Sequence, residues 1–237
     1  MSDNFSHFVS VLLNGLVPTV ELTVGGIVLA IVMSFLMGLG GRSRWWIVRL
    51  VVRIYVEGWR GTSELVQLFW IYFVVPLLIG FQIVPLWAGI IVLGLNHGAY
   101  GAEIVRGAVA SVPKEQWEGA LALNLTPYQR MRRVILPQAL LEMLPPFNTL
   151  FIQLLKATSL VSLINVSEIT YDGKDILIAN YSADKGLILF MMLVLYLIIS
   201  VVITWIIRFL ERVTAAHLGR RPISRSSRRA GALEGMG

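Results

Sequence analysis

The sequence predicts an all-α integral membrane protein with about five transmembrane helices, and three observations predict it. Of 237 residues, 56% are hydrophobic and only 14% charged, against about 25% charged in soluble domains, and the mean hydropathy is +0.73. The apolar residues are gathered in blocks long enough to span a hydrocarbon core of about 30 Å. The basic residues fall between those blocks in clusters, which orients them. A soluble enzyme is excluded from the outset.

Each element follows in order. Residues 1–10 read as a short polar lead, with Asp3 and neither Lys nor Arg, a pattern that does not fit a cleaved secretory signal. Residues 22–41 carry no formal charge, and the first span is placed at 15–41. Its Gly25, Gly26, Gly38 and Gly41 are small residues of the kind that let membrane helices approach closely. From Arg42 to Arg60, arginines alternate with Trp45, Trp46, Ile47, Val48, Leu50, Val51, Val52 and Ile54. A crossing there would bury Arg49 and Arg53 at about 2.5–3.5 kcal/mol each, so the segment reads as amphipathic and interfacial.

The uncharged run 65–96 is too long for one crossing and contains Pro76, Gly80 and Pro85, so it divides into spans at 62–80 and 84–108. A fourth span, 136–166, crosses if kinked at Pro145 and Pro146. The fifth is 186–208. The tail 213–237, rich in Arg, Ser and Gly, has too little apolar surface to order itself and reads as a disordered cytoplasmic tail. Residues 1–212 are thus one membrane domain, with no internal repeat of solenoid length.

All 20 Lys and Arg lie at or after Arg42. Arg42 to Arg60 form one cluster; Arg106, Lys114, Arg130, Arg132 and Arg133 a second; Arg208 to Arg229 a third. Only Lys174 and Lys185 fall on the other side, and Lys156 inside a span. The positive-inside rule therefore puts the N-terminus out and the C-terminus in, as an odd number of crossings requires. The net charge of +6 reads as an orientation signal and an attraction to membrane lipid, with no nucleic acid partner. The absence of cysteine excludes disulfides and thiolate metal sites. No phosphate-cradling G-x-x-x-x-G-K-[ST] string occurs, so nucleotide must bind another polypeptide. His7, His97 and His217 are scattered, and His97 and Glu103 would lie on nearly opposite sides of a helix. No catalytic residue, metal or cofactor is expected on this chain.

The longest soluble-like stretch between spans is 111–135. Ser111 can cap a helix whose first turn holds Pro113 and Glu115. Trp117, Ala120 and Leu121 share one face. Asn124 falls where the helix would end, and Asn suits the left-handed position after a helix. Thr126, Pro127 and Gln129 then form a T-x-x-Q capping box. The spacing predicts a short helix, a sharp turn and a second helix.

Charges inside spans mark a partner or a wet cavity. Lys156, followed by Thr158 and Ser159, reads either as bordering a translocation pathway or as a snorkelling or structural lysine. Glu103 and Arg106 are spaced to pair with each other, and Glu103 is a further pathway candidate. Glu21 and Glu64 sit at span ends, where an interfacial position is the default. Pro145, Pro146 and Asn148 mark a bend that is either static or a gate hinge.

These residues carry a resemblance. The segment EGALALNLTPYQRMRRVILP, residues 118–137, resembles the EAA motif of permease subunits of ATP-binding-cassette importers: E-A-A, three residues, G, nine residues, I-x-L-P. Glu118, Ala120, Leu136 and Pro137 match it, whereas Gly119, Asn124 and Val134 replace Ala, Gly and Ile. RGTSELVQLFWIYFVVP, HGAYGAEIVRGAVASVPKEQWEGALALNL and LPQALLEMLPPFNTLFIQLLKATSLVSLI resemble blocks of the polar amino acid branch, which usually has Pro and an apolar residue in place of Ser63 and Glu64. Residues 10–212 are covered.

The resemblance implies the type I importer permease fold in a bacterial inner membrane. It implies a second permease copy or a sister permease, two ATPase subunits that bind the ATP and magnesium, and an extracytoplasmic solute-binding protein. The loop would couple to the ATPase through Trp117, Glu118, Gly119, Ala120, Ala122, Asn124 and Arg130, with Pro137 closing the motif. The solute would be a polar amino acid or a relative such as an opine or compatible solute. A secondary transporter would need its own ion site and usually a repeat, neither of which is seen. A membrane scaffold would leave the shaped loop unexplained.

Overall fold

The computed structural model describes residues 2–217, and these are helical nearly throughout. We number the elements α1 (Ser2–Gly40), α2 (Trp46–Arg60), α3 (Glu64–Ile79), α4 (Pro85–Ser111), α5 (Lys114–Ala122), α6 (Pro127–Ile164) and α7 (Lys185–His217). Among the described residues, four helices are long and apolar enough to cross a membrane, in α1, α4, α6 and α7. The apolar segment α3 follows α2 at a bend of 105°, and the count rises to five only when this bent pair is taken as one span.

The core runs the length of the bundle in three patches. Val105, Val109, Ile135, Ala139, Met143, Phe147 and Ile207 fill the end that carries α5, hereafter the hairpin end. Leu22, Ala88, Leu93, Leu154, Val161 and Ile164 fill the middle. Phe8, Leu12, Ile169, Leu177 and Ile188 fill the far end. Helix α4 is the most enclosed of the four long helices and α7 the least. What lets α4 sit inside is close approach to α1. A Cβ on Gly94 would stand 2.7 Å from Leu29 Cβ, and one on Gly98 2.7 Å from Met33 Cβ. Contacts that short are not tolerated, so the small residues set the helix separation.

Both the second and fourth membrane segments widen just before a proline. The turns Trp70–Val74 and Met131–Ile135 are π-helical and precede Pro76 and Pro137. Proline has no N–H to give the carbonyl four residues back. Bonding one residue further, as Val75 N does to Trp70 O and Leu136 N to Met131 O, gives freed carbonyls a partner while the helix continues. In α6 the helix also runs on through Pro145 and Pro146 to Ala157, then tightens to a 3₁₀ turn over Thr158–Ile164.

The ends of the elements differ from expectation. Helix α1 begins at Ser2, well before residue 15, because Phe8 and Leu12 are buried against the linker of 165–184; the polar lead is therefore packed helix. Ser111 does not cap the next helix. It closes α4 and donates Oγ to Ala108 O at 2.9 Å, since buried Val109 and Val112 keep the chain in the core. Val112 is extended at φ −64, ψ 126, as a residue before proline prefers. Helix α7 continues to His217, so residues 213–217 of the expected tail are helical, and 218–237 lie outside the described residues.

Candidate functional site

At the hairpin end, α5 and the first turn of α6 form a compact knob. Helix α5 stops because Asn124 takes φ 54. Asn124 N then bonds Leu121 O at 2.8 Å, and Leu125 N bonds Ala120 O at 3.2 Å, the paired bonds that satisfy terminal carbonyls after a left-handed residue. A branched residue there would pay about 1–2 kcal/mol. Two residues on, Gln129 N bonds Thr126 Oγ1 at 3.3 Å and Thr126 N bonds Gln129 Oε1 at 3.1 Å. The capping box predicted from spacing is present, and such caps contribute about 1 kcal/mol. Both sides of the turn are therefore pinned by their own hydrogen bonds.

The knob is also fixed to the body. Ala120 is buried, and Trp117 packs on the hairpin-end core, with the Arg42 guanidinium 5.3 Å above its ring. Gln138 of α6 donates to Gln116 Oε1 at 3.1 Å. Its outer surface is bare. Leu121, Leu123 and Tyr128 are 60%, 76% and 68% exposed. Glu118, Gly119 and Ala122 are exposed too, and a Cβ on Gly119 would meet nothing within 4 Å. Glu118 has no side-chain hydrogen bond or ion pair among the described residues, so it does not hold the turn together. Arg130 is half-buried, and Pro137 follows the π turn in α6. Arg132 rather than Arg130 meets Tyr128, donating to its hydroxyl at 3.1 Å.

The pathway candidates are not brought together. Glu103 takes two hydrogen bonds from Arg106, that from Nε at 3.0 Å. Lys156 stands exposed toward the other end of α6, with no carboxylate partner among the described residues. Thr158 and Ser159 give their hydroxyls to Leu155 O and Lys156 O, each at 2.8 Å. Asn148, near the double proline, keeps a buried Oδ1 without a partner.

Two polar clusters were not read from the sequence. In the first, Glu64 is partly buried, with Oε1 3.3 Å from Nδ1 of buried His97, which also contacts Leu93 O at 3.0 Å. Beside them Asn96 donates to Gln67 Oε1 at 2.9 Å, and Gln67 to Trp59 O at 2.8 Å. This network ties the α2–α3 bend to the middle of α4. In the second, at the far end, Glu168 is fully buried. It accepts from Tyr171 N at 3.0 Å and from the Tyr196 hydroxyl at 2.9 Å. Ser167 donates to Asp172, and Ile169 N donates to Thr19 Oγ1 at 3.2 Å, so the linker is tied to both α7 and α1.

The family model described as "binding-protein-dependent transport system inner membrane component" matches residues 22–215. The chain belongs to this family. It is 38% identical over 226 residues to a probable amino-acid ABC transporter permease protein of Sinorhizobium fredii, covering 93% of this chain and 94% of that one. It is 40% identical over 189 residues to the glutamine transport system permease protein of Escherichia coli, covering 79% and 84%. A crystal structure of an amino acid ABC transporter with histidines matches with a TM-score of 0.79 and 29% identity, over 88% of this chain and 96% of that one. This permease is thus a multi-pass membrane protein built for transport.

The far-end cluster gives it a pH dependence. Burial raises the Glu168 carboxyl above its ordinary range, against the opposing hydrogen bonds from Thr170, Tyr196 and Tyr171. Burial likewise raises Asp172, opposed by Ser167. A folded state with raised carboxyl pKa holds protons that an opened one releases, so its packing is most favourable below the ordinary carboxylate range and weakens as pH rises through the raised values. Thermal stability of the purified permease is expected to fall over that interval. Glu168→Gln should flatten part of the fall, and adding Asp172→Asn the rest; an unaltered slope in the double variant would remove the assignment.

Proposed function

We propose that this permease is the membrane subunit of an ATP-driven importer that carries a polar amino acid or a related small solute inward across a bacterial inner membrane. Its N-terminus lies outside, and the hairpin and C-terminus lie in the cytoplasm, in keeping with the basic clusters around the hairpin. A second permease, identical or a sister chain, completes the pathway. Separate ATPase subunits bind and hydrolyse ATP with magnesium, and a solute-binding protein delivers the solute at the far end. The amino acid class is supported by the relatives named for amino acid transport.

The observation that carries this reading is the bare, self-pinned hairpin. Leu121, Leu123 and Tyr128 present apolar surface beside Glu118 and Gly119, and of these side chains only Tyr128 has a polar partner among the described residues, the neighbouring Arg132. Surface of that kind fits a cleft on another protein. The knob continues directly into α6, so a displacement imposed by the ATPase on nucleotide closure is delivered to a membrane-crossing helix as a rigid movement. Lys156 lies toward the opposite end of that helix and is assigned to the border of the pathway. There it can meet a solute carboxylate, and its neighbouring hydroxyls are already engaged with the backbone.

Glu118→Lys and Gly119→Leu test the grip. Both sites are open, so the variants should fold and insert normally, while retention of the ATPase subunit on the membrane drops by about tenfold or more. Normal retention in both would sink the hairpin assignment. For the pathway, reconstituted Lys156→Met should lose solute uptake while ATP hydrolysis by the assembled complex persists; uptake equal to wild type would end that assignment.

A further inference from the structure

The second helix presents a surface that the transport reading does not use. On α2, Val52, Tyr55, Val56 and Trp59 face the body. Val52 lies near Gly40 and Gly41, Tyr55 donates to Leu95 O at 2.7 Å, and Val56 is buried. A second sector, Ile47, Leu50, Val51 and Ile54, is apolar and 44–64% exposed, with Trp46, 65% exposed, at its border with the charged sector. A third carries Arg49, Arg53 and Arg60 with Glu57, at spacings of three and four. Arg49 reaches back to the carbonyls of Ser43 and Arg44, Arg53 pairs with Glu57 at 2.8 Å, and Arg60 lies over the Tyr100 ring. Together with Arg44 there are four cations against one carboxylate.

We propose that α2 is a docking surface for anionic lipid, lying in the membrane plane with Ile47, Leu50, Val51 and Ile54 in the acyl boundary, Trp46 at the headgroup level, and Arg44, Arg49 and Arg53 at the phosphates. Three features favour this occupant over a protein. The 105° bend sets α2 nearly crosswise to the span that follows it, the attitude of an interfacial helix rather than a crossing one. Arginines one turn apart beside an apolar sector would be costly in the bilayer centre, and exposed tryptophans are disfavoured in bulk water, so only the boundary suits both sectors. The cationic excess matches a phosphate surface. The bend network of Trp59, Gln67, Asn96, Glu64 and His97 then fastens the lipid-held helix to the middle of α4.

The chain has no cysteine, so single labels report without background. Spin labels at Ile47→Cys, Leu50→Cys and Ile54→Cys, in the full chain in nanodiscs, should be open to oxygen and closed to a water-soluble nickel reagent. Labels at Arg49→Cys and Glu57→Cys should show the reverse. Adding anionic phospholipid to neutral lipid should deepen the Ile47 and Ile54 labels, and the triple change R44Q, R49Q and R53Q should abolish that shift. Labels shielded from both reagents would mean that a protein covers the face. Nickel access at all positions, or depth indifferent to lipid charge, would equally overturn the proposal. Each readout is independent of transport.

Discussion

The shape of the hairpin, on which the proposed coupling rests, depends on the left-handed turn at Asn124. Its φ of 54 stops α5, and bonds from Asn124 N and Leu125 N close the helix behind it. The Thr126–Gln129 box opens the next helix ahead of it. Because the turn is closed on both sides by local hydrogen bonds, its shape does not wait on a partner. Trp117, clamped between the core and Arg42, and the Gln116–Gln138 contact attach the knob to the bundle at two further points. A loop lacking these ties would absorb a push as disorder; in the proposed importer this one would hand it to α6.

Transmission along α6 faces a second constraint, the three prolines in its path. Pro137 is accommodated by a π turn and Pro145 and Pro146 within continuing helix, so the rod is locally weakened but unbroken from Pro127 to Ile164. The weak points lie between the knob and Lys156. A rod of this build can pivot at the double proline, beyond the hairpin, and the buried, unpartnered Oδ1 of Asn148 sits where such a pivot would repack. At the far end, the linker does not float. Glu168 and Tyr196 tie it to α7 and Thr19 ties it to α1.

Much of this was legible where the physics is local. Uncharged runs marked the long helices, and the spacings at Thr126 and Gln129 and the place of Asn124 foretold the hairpin, because caps and turns are made by residues within a few positions of one another. What stayed hidden was nonlocal. Glu64 and His97 are 33 positions apart, and Glu168 and Tyr196 are 28 apart; no pattern along a single chain pairs them, so neither contact was foreseen. The early start of α1 had the same cause, since Phe8 and Leu12 become core only when the linker folds over them. Ser111 carried a plausible capping signal, but burial of Val109 and Val112 outweighed it.

The central claim, that the hairpin and the part of α6 before its double proline move as one body, can be measured directly. Paired spin labels at Glu115→Cys on α5 and Glu142→Cys on α6, both exposed, would report their separation in the assembled transporter with and without trapped ATP. The account expects one narrow distance distribution, unchanged by nucleotide. A broad distribution, or a shift of several ångström on ATP binding, would show that the hairpin flexes independently and would contradict it.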